Sequence, residues 1–134
     1  MKFADLKVGM TDSVTKTITG EDIDKFADIS LDRNPVHLDE EYAAKTMFKK
    51  RISHGILVSG LISAVLGTKL PGEGAIYMGQ ELKFMAPVYI GDTITATIEI
   101  VELVAEKNRV ICSTICTNQD GKQVIVGKAT LLQK

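Results

Sequence analysis

Two patterns of hydrophobic and polar positions divide the chain. From Gly55 to about Lys69 the residues are apolar or small on every helical face, with no charge before Lys69. Such a run predicts a helix, and a helix apolar all round is expected to be buried all round. Ser59, Ser63 and Gly67 fall on one stripe, as do Gly60 and Ala64, so neighbouring backbone can approach closely. Pro71-Gly72 ends the element. Beyond it the period drops to two. Ile94, Ala96, Ile98 and Ile100 alternate with Thr93, Thr95, Thr97 and Glu99, which predicts a strand over 93–104. Further strands are expected over about 75–84, 109–117 and 122–132, with turns at Lys107-Asn108 and Asp120-Gly121.

The N-terminal third is shorter in its elements. Ser13 to Ile18 reads as a strand. Thr19 with Asp22 resembles a capping box and opens a short amphipathic helix carrying Ile23, Phe26, Ala27 and Ile29. Asp32-Arg33-Asn34-Pro35 stops that helix, because the residue before proline is driven away from helical backbone. Asp39 is a good N-cap for another helix from Glu40 to about Met47.

One apolar helix with a long antiparallel sheet predicts an α+β chain in the hot-dog arrangement, with the sheet wrapped around the helix. The sheet edge would be exposed, and pairing edges between two copies removes that liability, so a homodimer is expected. No repeat or linker interrupts residues 1–134, which are read as one domain.

Composition narrows the partners. The net charge is −1 with 16 basic and 17 acidic residues, and no basic stripe appears, so nucleic acid is not expected. The N-terminus lacks the apolar core of a signal peptide. The run from Ile56 to Leu66 is too short to span a bilayer. A cytoplasmic protein is expected. Cys112 and Cys116 point to the same face of one strand and lack companion zinc ligands, so they read as core thiols. Lys49-Lys50-Arg51 reads first as a solvated turn, with a phosphorylated part of a ligand as the alternative.

The chemistry concentrates in Asp32 to His37. The chain has 2 histidines, and one of them lies five positions from an aspartate across Asn34-Pro35. Fully extended, that stretch spans about 17 Å, so the side chains meet only if the chain folds back. A carboxylate and an imidazole on one water could move two protons near neutral pH. The same residues also suit an ordinary turn with a packed histidine, and their spacing fits both readings. Asn34 would hold the turn. His54 is most simply a polar cap at the entry to the apolar helix. The free N–H groups at Gly55 could hold a carbonyl oxygen that gains negative charge. A metal is not expected from so few ligands. Ser59 and Ser63 lack the Gly-x-Ser-x-Gly elbow of serine hydrolases.

Three blocks then resemble a known family. They are Ser30-Leu31-Asp32-Arg33-Asn34-Pro35-Val36-His37 followed by Ala43, Ile52-Ser53-His54-Gly55-Ile56-Leu57, and Phe84-Met85-Ala86-Pro87-Val88-Tyr89-Ile90-Gly91-Asp92 after Pro71 to Tyr77. Together they are similar to MaoC-like hydratases, above all to short (R)-specific enoyl-CoA hydratases that feed polyhydroxyalkanoate synthesis. The resemblance implies that Asp32 and His37 activate one water for addition to a trans-2-enoyl thioester. It implies that Gly55 steadies the thioester oxygen and that Asn34 and Ser63 support the geometry. It implies no cofactor and an acyl-CoA substrate, with an acyl-carrier-protein dehydratase as the nearest alternative. A hot-dog thioesterase is a weaker alternative, since the Asp-x-Asn-Pro-x-His block argues against it. Two positions depart from the pattern: Leu31 stands where the motif often has Gly, and Arg51 where relatives often have Pro.

Overall fold

In the computed structural model, which describes residues 1–134, four α-helices and five strands follow one another. They are β1 (Thr11–Thr17), α1 (Gly20–Ser30), α2 (Pro35–Leu38), α3 (Glu40–Ala44), α4 (Gly55–Thr68), β2 (Ile76–Phe84), β3 (Thr93–Val104), β4 (Arg109–Thr117) and β5 (Gln123–Leu132). The capping box at Thr19 and Asp22 forms, and the Asp39 carboxylate caps α3 by accepting from the Glu41 and Tyr42 N–H groups.

The strands form one antiparallel sheet in the order β1-β3-β4-β5-β2. Its centre obeys the period of two. Ile94, Ala96, Ile98 and Ile100 of β3 are buried, as are Val110, Cys112, Thr114 and Cys116 of β4. Val58, Ile62, Val65 and Leu66 of α4 join them in one core with Ile125, Ala129 and Leu131 of β5. Burying these side chains supplies the main drive to fold, at roughly 1.5–3 kcal/mol for each large aliphatic one. Both thiols are in this core, and burial pushes each up to about 12, which keeps them protonated and inert. The long helix against the inner face of an antiparallel sheet is the hot-dog architecture.

The expectation of all-round burial for α4 is not met in the single chain. Ile56, Gly60, Ser63 and Gly67 are exposed on the face opposite the core. One sheet face covers one side of a helix, and nothing in this chain covers the other. The edge strands behave alike. β1 contains no buried residue, and Ile76, Tyr77 and Met78 of the edge strand β2 are exposed.

Gly127 on β5 shows how closely the strands meet. A Cβ there would run into the Glu81 carbonyl oxygen of β2, which is backbone and cannot turn away.

Candidate active site

The site begins where α1 ends. Leu31 has φ 67, in the left-handed region, and its N–H donates to the Ala27 carbonyl. Helices often end this way, most readily with glycine. Leu31 therefore keeps the backbone turn of the more usual glycine, at the cost of some strain.

That turn delivers Asp32 to a second, tighter one. Asp32 Oδ1 accepts from the Asn34 N–H at 3.2 Å, and Asn34 Oδ1 accepts from the Val36 N–H at 3.2 Å. Asn34 thus caps α2, and Pro35 fills the first helical position, where a missing N–H costs no hydrogen bond. The expected turn is therefore a one-turn helix, and it swings His37 back toward Asp32. A carboxylate oxygen of Asp32 and ring nitrogens of His37 and His54 all lie within 4.8 Å of one another. One Asp32 oxygen closes the turn, and the exposed carboxylate stands beside the histidine.

His37 is 9% exposed. Its Nδ1 lies 2.8 Å from the Ile52 carbonyl, which only accepts, so Nδ1 carries the proton and Nε2 keeps its lone pair. Burial pushes the imidazole below its ordinary 6.5; the Ile52 carbonyl opposes this, His54 adds to it, and Asp32 opposes it. The ring therefore favours its neutral form, with Nε2 free to accept a hydrogen bond.

His37, Ser53 and Gly55 line a cavity of about 420 Å³, with Phe48, Phe84 and Val88 among its apolar walls. This suits a small apolar ligand held by few polar groups. The Gly55 N–H begins α4 without a hydrogen-bond partner. The Phe84 ring packs against Gly55, and an added Cβ would sit 2.6 Å from Phe84 Cδ1, so a side chain there would displace the ring.

Ser63 is not brought to this group. It stands on the exposed face of α4, about 12 Å along the axis from Gly55 at the usual helical rise, and neither lines the cavity nor bonds to Asp32. His54 is the N-cap residue of α4 by position, but its side chain makes no capping bond. Its Nε2 instead reaches the Asp32 carbonyl at 2.9 Å. Arg51 is no solvated turn residue either. Its Nε donates to the His37 carbonyl at 2.6 Å and its Nη2 to Asp24 Oδ1 at 2.8 Å, tying α2 to α1. The sequence holds no signal for the His54 bond to the Asp32 carbonyl or the Arg51 bond to the His37 carbonyl, because each runs to the main chain across a long gap.

Asp32, His37 and His54 are the one cluster with metal-ligand spacing. The two imidazoles lie against each other, with centroids 4.0 Å apart and planes tilted by 32°.

Comparison with known proteins identifies the family of the chain. A family model described as "MaoC like domain" matches residues 5–123. An (R)-specific enoyl-CoA hydratase of Rhodospirillum rubrum is 55% identical over 97% of this chain and 90% of its own length. A mitochondrial 3-hydroxyacyl-[acyl-carrier-protein] dehydratase of Arabidopsis thaliana is 38% identical over 95% of this chain and 77% of its own. The solved structure of an (R)-hydratase from A. caviae involved in PHA biosynthesis superposes with a TM-score of 0.94 at 38% identity, covering 97% of this chain and 98% of that one. With the family model spanning most of the chain and a near full-length relative sharing more than half of its residues, this chain belongs to the MaoC-like domain family.

Proposed function

We propose that the chain catalyses the reversible, (R)-specific hydration of trans-2-enoyl-CoA to (R)-3-hydroxyacyl-CoA. The observation that carries this reading is the convergence of Asp32 and His37 beside an apolar cavity lined by His37 and by Gly55, whose N–H has no partner. A water held by the Asp32 carboxylate gives a proton to His37 Nε2 as its oxygen bonds to C3 of the enoyl chain. The C2=C3 electrons move onto the thioester oxygen, where the Gly55 N–H donates to the developing charge. The proton then passes from the Asp32–His37 pair to C2 on the same face. One water is consumed and nothing is oxidised or reduced, so the chemistry requires no redox cofactor. Asn34 keeps the pair in register through its cap on α2.

The choice of CoA over a carrier protein rests on the 55% identical hydratase, since the acyl-carrier-protein dehydratase is more distant at 38%. Supply of (R)-3-hydroxyacyl units for polyhydroxyalkanoate fits the A. caviae likeness. A cytoplasmic place fits two free thiols, and no helix is long and apolar enough to cross a membrane. The residues 1–134 act as one domain and pair with a second copy. That pairing would cover the exposed face of α4 and the edge strand β2, and any orienting role for Ser63 rests on it.

Crotonyl-CoA tests the reading. The purified protein should consume the enoyl absorbance and yield (R)-3-hydroxybutyryl-CoA with no free CoA. Asp32→Asn and His37→Gln should each lower kcat by about a hundredfold or more while the fold survives. Release of CoA without hydration would replace the hydratase with a thioesterase. Full activity in both variants would remove Asp32 and His37 from the site.

A further inference from the structure

His54 is 2% exposed, yet it touches every part of the proposed reaction centre. Its Nε2 lies 2.9 Å from the main-chain carbonyl of Asp32. Its ring lies against that of His37 at 4.0 Å between centroids and meets that of Phe26 at 4.8 Å. Its own peptide supplies the Gly55 N–H. A carbonyl only accepts, so the proton of the neutral ring belongs on Nε2. Nδ1 is then a bare acceptor, and it is buried with no partner.

That unpartnered nitrogen is informative. A ring present only to fill space would pack better as an apolar one, because a buried acceptor without a donor costs stability. The benefit of an imidazole here lies in the one bond it makes, to Asp32. We propose that His54 is a positioning residue, whose Nε2–H fixes the main chain of Asp32 while its face fixes the ring of His37, so that both meet one water. The proposal rests on the hydratase reading and assigns to His54 no proton transfer of its own.

Two substitutions divide its two contacts. His54→Phe keeps an aromatic face for His37 and removes the donor to Asp32. His54→Gln keeps an amide donor near the place of Nε2 and removes the contact between the rings. His54→Phe should lower kcat on crotonyl-CoA by about a hundredfold, the usual penalty for a small misplacement of reacting groups, with KM changed by no more than about threefold. His54→Gln should recover part of that loss. A folded His54→Phe protein with wild-type kcat overturns the proposal. If the Asp32→Asn and His37→Gln variants are inactive alongside it, the hydratase reading still stands; if they too are active, that reading fails instead.

The wild-type protein offers a test that needs no variant to fold. The chain has 2 histidines, so nitrogen-15 labelled histidine gives a simple spectrum. His54 should show the Nε2–H tautomer and His37 the Nδ1–H tautomer. An Nδ1–H tautomer at His54 would remove its bond to Asp32 and with it the proposal.

Discussion

His37 has one nitrogen committed and one free, and its pH behaviour follows from that. Its Nδ1–H donates to the Ile52 carbonyl at 2.8 Å, and burial holds the ring below its ordinary 6.5. The proposed base must be unprotonated to accept from water, so activity should persist below the pH at which a free histidine becomes charged. The acid limb of kcat/KM on crotonyl-CoA should therefore have its midpoint below 6.5. A midpoint at or above 6.5 would contradict a buried neutral base. Stability has the same sign. The unfolded chain takes up this proton first, so the contribution of His37 is full above 6.5 and is lost as pH falls from 6.5 toward the folded value.

At the scale of elements, the site depends on how α1 ends and how α2 is held. Leu31 adopts φ 67, a conformation that strains a residue with a Cβ, and its side chain is 79% exposed and packs on little. Leu31→Gly should therefore stabilise the protein by about 1 kcal/mol and leave activity intact, measured as a rise in melting temperature with unchanged kcat. A fall in melting temperature would show that the leucine side chain contributes more than the strain costs. Across the turn, Arg51 joins α2 to α1 through the His37 carbonyl and Asp24. Its guanidinium is 14% exposed, whereas the Asp24 carboxylate is 62% exposed. The bond to the carbonyl is therefore the stronger contributor, because water screens the carboxylate pair.

The whole molecule presents two uncovered apolar surfaces. The outer face of α4 exposes Ile56 beside Gly60, and β2 exposes Ile76, Tyr77 and Met78 along an unpaired edge. An unpaired strand edge is an invitation to pair, and here the invitation is apolar. Gel filtration with light scattering should report a dimer of the 14.6 kDa chain at micromolar concentration. A clean monomer would mean that both surfaces tolerate water, and would leave Ser63 without a partner to orient.

The sequence by itself determined the elements. β3 and β4 begin and end where the alternation predicts, and Thr19, Asp22 and Asp39 cap the helices they were expected to cap. These features are local: a period, a cap or a breaker acts within a few residues, so the order of residues contains it. The pairing of Asp32 with His37 was half legible. Spacing and turn chemistry allowed it, and the family resemblance favoured it, but the same residues make an ordinary turn. Tertiary structure decided the rest. It set the strand order, left one side of α4 open, and turned His54 from a cap into a partner of Asp32. It also tied Arg51 to the His37 carbonyl of α2. Each of these is a contact between residues far apart in the chain, made to a backbone atom or a packed surface. Such contacts have no period and no motif, and they exist only once the sheet and α4 have fixed the distances.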